Sequence, residues 1–449
     1  MGHSAKKIVA NVGADQSVET SASVVLEGIV SCPPGTGNTG TLDSTFGGDG
    51  IVVYDSSTGD DVGKTMALDG AGNVYVAGFG NVVAFDLDLV ICKYGSDGTL
   101  DSNFGGNGTV RYSIAPYTKG EAIALDDAGN IYVTGATGPD NASRNMIILK
   151  YSSDGTLDTT FDGDGIVVYD NSTDVNSSNL GEAIAVDSNR NVYVAGYRSG
   201  GKVIWKYGSN GTLDTTFDDN WVGVPSGHGY AIALEGTENV YVAGSSSSGD
   251  MVIWKYRSDG KPDRNFGVNG DGTVTHSIGL YNKGAAIALD DAGNIYVAGS
   301  SANSNYYVEG SSSDMVIWKY SSDGKPDSNF GSKGTVTHRI DPYTKGEAIA
   351  LDDPYTKGEA IALDDAGNIY VTGCTASFNE GKTIKNMIIL KYSSGGTLDT
   401  TFDDDGIVQY HVNSWNAGEA IALDSTGDVY VAGSSTNAEG ENMVIWKYK

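Results

Sequence analysis

The chain has 449 residues, 57 acidic against 28 basic, and a net charge of −29. That carboxylate surplus excludes a nucleic-acid partner, because phosphate recognition needs clustered Lys and Arg; it suits a solubilising surface. No apolar run approaches the ~20 residues of a membrane-spanning helix, and the 63 glycines fall in turn-like contexts rather than a collagen period.

Residues 1–40 form a first unit, an arm. It opens on MGHSAKK, which lacks the apolar stretch of an intact signal peptide and, with Lys6, the myristoylation pattern. From Ala10 to Cys32 it reads ANVGADQSVETSASVVLEGIVSC, with Val18, Val24, Val25, Leu26, Ile29 and Val30 as the residues expected to dock. About 30 residues cannot bury a core of their own. The arm is therefore expected to be extended or β, lying on its own subunit or adding a strand to a neighbouring copy.

From residue 41 to 449 the text repeats. A segment (I/V)YV(A/T)G carries its glycine at Gly78, Gly135, Gly196, Gly244, Gly299, Gly373 and Gly433. A KY pair follows each, with Lys93, Lys150, Lys206, Lys255, Lys319, Lys391 and Lys447. A third mark, (L/P)DxxF, ends at Phe46, Phe104, Phe161, Phe217, Phe266, Phe330 and Phe402. Within one repeat, GEAIALD, the turn DAGN and IYVTG read as a hairpin; NMIILKY is a third strand and GIVVY a fourth. The runs barely alternate, as strands buried on both faces should. Four short strands repeated seven times predict an all-β, seven-bladed β-propeller of four-stranded blades.

The phase of the repeat predicts how the ring closes. The array opens on a fourth strand with no blade before it and ends on VIWKYK, a third strand with no fourth behind it. Ile51–Tyr54 is therefore expected to complete the last blade, beside Ala420–Leu423, Val429–Ala432 and Met443–Tyr448. One repeat is irregular: residues 341–352 read DPYTKGEAIALD and residues 353–364 read the same. The second copy runs into DAGN and is expected to be the true inner strand.

Candidate chemistry is sparse. The KY lysines are expected to lie between blades and to pair with carboxylates, the recurrent Asp69, Asp126, Asp187, Asp290, Asp364 and Asp424 (Glu235 in one repeat) being the candidates. Asp158, Asp162 and Asp164 offer oxygen ligands at calcium-like spacing, calcium being the one cofactor expected, with Asp-Gly turn chemistry as the alternative. Cys92 occupies a slot that other repeats fill with Trp205, Trp254, Trp318, Trp446, Leu149 or Leu390, and reads as a buried apolar substitute. Cys32 and Cys374 lie outside those slots, as a disulfide in an oxidising compartment or as two thiols. His276, His338 and His411 end outer strands of different blades, far apart. The links between strands two and three, and between four and one, open on one face and vary in text. A ligand site is expected there, with Phe79, Tyr306, Tyr307 and Phe378 as its aromatic residues.

The LDTTFDGDGIV and SSDGTLDxxF strings resemble the delta-60 repeats of bacterial secreted and cell-surface proteins, cousins of the SBBP and NHL propeller repeats. The likeness spans Thr41 to Lys449. It implies a β-propeller and an extracellular or cell-surface setting, and no catalytic residues. The arm resembles the opening of a PKD-type β-sandwich domain, whose remainder is absent. The resulting expectation is a non-enzymatic structural or interaction module, self-associating through its arm into a filament. The alternative is a propeller that binds a glycan or a protein on its variable-loop face. An enzyme would need a cluster of His, Arg or paired carboxylates on one face, which the text does not display.

Overall fold

The computed structural model describes residues 40–449, apart from 57–58, 84–85, 141, 171–177, 199–200, 218–226, 303–312, 340–354, 380–381, 412–414 and 438–439. The arm, with its six apolar docking residues, Cys32 and the expected self-association, lies outside the described residues. So does the first copy of the twelve-residue duplication.

The repeat Tyr117–Tyr169 illustrates how text becomes structure. Tyr117–Leu125 pairs antiparallel with Ile131–Gly138, then Asn145–Tyr151, then Ile166–Tyr169. The DAGN turn between the first two strands is held by Asp126, whose carboxylate accepts hydrogen bonds from the Ala128 and Asn130 amides (both 2.9 Å) and from Asn130 Nδ2 (2.7 Å). The second copy of the duplication supplies the inner strand Tyr355–Leu363, as its junction with DAGN predicts.

The architecture is an all-β propeller, and one three-residue 3-10 turn at Phe104–Gly106 is the helical element among the described residues. The expectation of seven separate four-stranded blades is corrected. Five blades stand as separate sheets, four of them four-stranded and one, Asn179–Tyr207, three-stranded; the other strands form one eight-stranded sheet. The fusion rests on one parallel bridge, Leu87 to Tyr117, between Asp86–Tyr94 and Tyr117–Leu125. Where the three-stranded blade should gain its fourth strand, residues 218–226 lie outside the described set.

The ring closes as the phase of the repeat requires. Ile51–Tyr54 pairs antiparallel with Glu441–Tyr448, Ile51 opposite Trp446 and Tyr54 opposite Met443. Asp61–Leu68 belongs to a different sheet. The Gly40 amide donates to the Lys449 carbonyl at 2.7 Å, so the two ends of the repeat array meet. Between the closing sheet and the next, Val52, Val74, Val76, Val90, Cys92, Tyr430 and Ile445 interleave in one apolar layer. Cys92 is fully buried there and opposes Val76, as Trp205 opposes Val194 in its own blade. Burying such side chains contributes about 1.5–3 kcal/mol each, so interlocked sheets rather than hairpin propensity hold the ring.

The three repeated marks turn out to be one device. Lys150 Nζ lies 2.8 Å from Asp158 and sits over the rings of Tyr132 and Phe161, 5.5 and 5.8 Å from their centroids. Those rings meet edge to face at 6.1 Å. The same latch joins Lys93 to Asp101, Lys206 to Asp214, Lys255 to Asp263, Lys319 to Asp327 and Lys391 to Asp399. The lysine partner is thus the aspartate of (L/P)DxxF, not the hairpin aspartate expected from the text. The hairpin aspartates are already engaged by their own turns, and the LDxxF link returns its aspartate to the lysine through a backbone hydrogen bond, Asp158 N to Lys150 O at 2.8 Å.

The last latch bridges the two ends of the array. Lys447 pairs with Asp43 at 3.1 Å and with Asp428 at 3.0 Å, and Lys449 reaches Asp43 at 2.8 Å. Burial alone would raise the Asp43 carboxyl; hydrogen bonds from Lys449, Thr45 and Lys447 outweigh it and hold that carboxyl well below the usual range. Removing one partner of a buried ion pair costs about 3–5 kcal/mol, while an exposed pair contributes under about 1 kcal/mol. Asp43→Ala is therefore expected to lower stability in denaturant titrations by ~3 kcal/mol. Lys449→Ala, whose side chain is 47 % exposed, is expected to lower it by less than ~1 kcal/mol. Equal, small losses would show that this latch does not hold the ring.

Candidate functional site at the channel mouth

The inner strand of every repeat carries a bulge at one place. Its register with the second strand slips between Gly63 and Thr65, Gly120 and Ala122, Gly181 and Ala183, Gly229 and Ala231, Gly284 and Ala286, Gly358 and Ala360, and Gly418 and Ala420. The cause is a pair of facing glycines, such as Gly120 opposite Gly135. A Cβ on Gly135 would collide with the Lys119 carbonyl, and one on Gly181 with the Thr134 hydroxyl. The glycine of (A/T)G thus lets the inner strand press close, and the extra residue is left unpaired in the bulge.

The bulged residues are Lys64, Glu121, Glu182, Tyr230, Ala285, Glu359 and Glu419; those before the glycine are Val62, Lys119, Leu180, His228, Lys283, Lys357 and Ala417. These two positions vary while the rest of the strand repeats. They converge around the propeller axis. Lys64 pairs with Glu419 of the preceding inner strand at 3.4 Å, Lys283 with Glu359 of the following one at 3.4 Å, and Lys119 with Glu121 at 2.7 Å. Burial works against the Lys64 ammonium, yet Glu419, Glu121 and Glu359 together hold it well above the usual lysine range. One ammonium therefore feels carboxylates from three inner strands.

A cavity of about 280 Å³ opens at this mouth. Its wall carries Lys64, Lys119, Lys357, Lys385, Glu359 and Glu419, with Phe79, Trp415 and Cys374 between them. Lys119 lies over the Phe79 ring at 4.7 Å and Lys385 over the Trp415 ring at 3.4 Å. Burial lowers the Lys385 ammonium, and the neighbouring Lys357 charge adds to the drop, against the opposing effects of Cys374, Glu419 and Glu359. Burial likewise pushes the Cys374 thiol up to about 12, so it stays a protonated wall group rather than a nucleophile. Further round the ring His228 Nδ1 lies 3.3 Å from the Tyr230 hydroxyl, and its ring stacks against Tyr197 at 4.4 Å. Burial, then the Lys283 charge, lowers the His228 pKa, so the imidazole is neutral at physiological pH.

Glu182 is the exception in the ring. The place that Lys119 fills two residues before Glu121 is Leu180 in its own strand, and the next inner strand offers Tyr230 rather than a lysine. Among the described residues no lysine forms an ion pair with it. Burial and then the Glu121 charge raise its carboxyl to about 7, despite Lys283, Lys119 and Lys64.

Of the aromatic residues expected to mark a site, the structure places Phe79 on the cavity wall. Tyr306 and Tyr307 lie outside the described residues. Phe378 falls in the strand Ile369–Asn379 opposite Thr383, its side chain outside what is described. Asp158 and Asp164 serve other ends: the first is latched to Lys150 and the second accepts the Ile166 amide at 2.9 Å. Asp162 takes a left-handed φ of 51° in the turn between them. Among the described residues no group of three His, Cys, Asp or Glu stands close enough to hold a metal ion. No helix among them is long and apolar enough to cross a membrane. His276 and His338 end separate outer strands, bonded to Tyr320 and Tyr392 of the next blades.

Residues 129–161, 188–217 and 293–330 match a family model described as "Domain of unknown function (DUF5122) beta-propeller". No curated protein matches the chain. Solved structures with a similar fold include an ulvan lyase of a new polysaccharide lyase family, at 11 % identity and TM-score 0.46, covering 88 % of this chain and 95 % of that one. Drosophila Plexin A in complex with Semaphorin 1b is similar at 10 % identity and TM-score 0.43, covering 91 % and 88 %. A Lactobacillus plantarum protein is similar at 12 % identity and TM-score 0.41, covering 84 % and 95 %. The expectation that the chain is not an enzyme is corrected: the structures it is similar to include an ulvan lyase, at 11 % identity. Its premise fails too: the bulges bring lysines, glutamates and a histidine together on one face, a cluster scattered over the text.

A carboxyl raised from 4.5 to about 7 destabilises the folded chain increasingly as pH rises through that window, and has no effect below it. Glu182→Gln is therefore expected to melt a few degrees above the parent at pH 8 and together with it near pH 4.5, by calorimetry. A difference independent of pH would assign the effect to packing instead.

Proposed function

We propose that this β-propeller is a ligand-binding protein whose channel mouth holds an anionic ligand, a carboxylate-bearing glycan being the class that fits. One observation carries the reading: in a chain of net charge −29, four lysines, Lys64, Lys119, Lys357 and Lys385, converge on one cavity. Lys64 and Lys119 pair with glutamates, and at half-buried Lys385 burial and the neighbouring Lys357 charge outweigh Cys374, Glu419 and Glu359 and lower the ammonium, whose charged form a bound carboxylate or sulfate would favour. Phe79 and Trp415 add the flat apolar surface that sugar rings pack against. The cavity volume is at the small end of ligand pockets, suited to one charged unit of a longer chain.

The reading takes the ring as seven units, with the eight-stranded sheet counted as two. Its halves share a single bridge, and seven apolar layers separate the units. An extracellular or cell-surface setting accords with the delta-60 resemblance and with glycans as ligands.

Calorimetric titration with a glucuronate oligosaccharide and a neutral oligosaccharide of equal length tests the site. The acidic ligand is expected to bind at least tenfold more tightly, about 1.4 kcal/mol. The double variant Lys357→Met, Lys385→Met is expected to remove that preference while melting as the parent does. Equal binding of both sugars would sink the anion reading.

A further inference from the structure

We propose a second anion site, on the face of the ring opposite the mouth, where Arg257, Lys261 and Arg264 hold a tetrahedral oxyanion, the sulfate or phosphate ester of a small ligand. It does not depend on the reading of the mouth given above. The repeat itself marks the place. After Tyr256 the link to the fourth strand reads RSDGKPDRNF. The place of Arg257 is Gly or Ser in the other repeats, apart from Lys449 at the chain end. The place of Lys261 is Thr, apart from Lys325, and the place of Arg264 is Ser or Thr throughout. The three bases come together in this one link, and two of the seven arginines of the chain are among them. The same repeat departs a second time. GVNGDG separates Phe266 from Thr273, two residues longer than the segments after Phe46, Phe104, Phe161, Phe330 and Phe402.

The fold brings both departures to one spot. Arg257, Lys261, Pro262, Asp263, Arg264 and Asn265 line a hollow of about 270 Å³. The longer segment lies against it, since a Cβ on Gly270 would stand 3.4 Å from the Arg264 carbonyl. The strand Met251–Arg257 sets the direction. Near its start Val252 opposes Gly244, which opposes Gly229 at the bulge of the mouth. Arg257 ends the strand about 17 Å further along. The hollow and the mouth therefore open on opposite faces.

The backbone of the hollow is fixed before any ligand arrives. The Arg257 amide donates to the Lys261 carbonyl and the Asp263 amide to the Lys255 carbonyl, both at 2.9 Å. The Asp259 and Asp263 carboxylates accept the Lys261 and Asn265 amides, both at 3.1 Å. Its charges are unequal. Asp263 is latched to Lys255 at 3.3 Å. A single oxygen, Asp259 Oδ2, serves both Lys261 at 2.9 Å and Arg257 at 3.7 Å. Among the described residues no carboxylate forms an ion pair with Arg264. Four bases thus share two carboxylates, in a chain whose acids outnumber its bases 57 to 28.

Arg257 and Lys261 are about half exposed, so their pairs with Asp259 contribute little and give way to a better acceptor. Two guanidinium forks and an ammonium carry more donors than one carboxylate can accept. The several oxygens of a sulfate or phosphate group use them more fully, with forks engaging two oxygens at a time. Three bases around one hollow suit a single ester group. They form no stripe along which a nucleic acid could lie.

The test is NMR of the full chain labelled with nitrogen-15 in its arginines, read at the side-chain Nε–Hε signals. None of the residues lining the mouth is an arginine, so this probe reports on the hollow and is silent on the mouth. The titrants are glucose 6-sulfate, glucose 6-phosphate and, as the planar carboxylate, glucuronate. Saturable shifts of Arg257 and Arg264 are expected with at least one ester, at least about tenfold tighter than with glucuronate, and the tighter ester names the source of the group. Arg264→Gln is expected to weaken that binding at least about tenfold. Lys325→Gln removes the same charge from the matching turn of the next blade and is expected to change it less than about twofold. Shifts of all seven arginines together without saturation would mean general screening and overturn the site, and this reading needs no variant. An Arg264→Gln affinity within twofold of the parent overturns it as well. Binding of glucuronate as tight as that of either ester overturns the tetrahedral assignment.

Discussion

A propeller is stable only if its first and last sheets meet, and here that meeting depends on four residues. Ile51–Tyr54 fills the vacancy beside Glu441–Tyr448, and without it the last sheet would present an unpaired third strand to solvent. Everything else assumes this contact. The apolar layers between sheets need a neighbour on both sides, and the residues of the mouth converge only because the inner strands stand in a closed circle. The Asp43–Lys447 pair then repeats across the chain ends the same latch that lies inside each internal repeat.

Scaffold and site are separated by one backbone device. Facing glycines allow the inner strand to bulge, and the bulge frees one residue from the sheet. Outside it, a substitution disturbs packing between sheets. Inside it, Lys, Glu, Tyr and Ala are all accommodated, because the side chain enters the channel rather than a core. A repeat with strict text thus carries a ring of unconstrained positions, and specificity at the mouth can change without altering the fold.

Much of the fold was legible in the text, and the reasons are local. Hairpin turns, buried runs and the phase of the array each follow from short-range chemistry, so the strands and the closing pair could be read from residues alone. The fusion of two blades could not, since one bridge between Leu87 and Tyr117 depends on how adjacent sheets twist. The latch partner was misassigned for a related reason. Asp126 and Asp158 are equally plausible carboxylates in sequence, and only the return of the LDxxF link decides between them. The mouth was legible in principle: the residues flanking the inner glycine are the ones that break the repeat. Of the aromatic residues expected in the variable loops, Phe79 borders the cavity, while Tyr306, Tyr307 and the side chain of Phe378 lie outside the described residues.

The latches have a consequence for the electric field of the whole molecule. They pair seven aspartates with seven of the 28 basic residues, most of them half-buried where neighbouring sheets meet. Four more lysines are gathered at the mouth. The rest of the surface keeps the acidic balance of the chain, and the mouth, where those lysines stand among Glu359, Glu419 and Glu441, is a local concentration of cations in that shell. On the anion-binding reading proposed above, the exterior repels an anionic ligand until it comes within a Debye length, about 8–10 Å, of the opening. Salt then acts in two directions, speeding the approach by screening the shell and loosening the complex by screening the lysines. On that reading ligands are filtered by the direction from which they arrive, a selectivity that resides in the surface around the site.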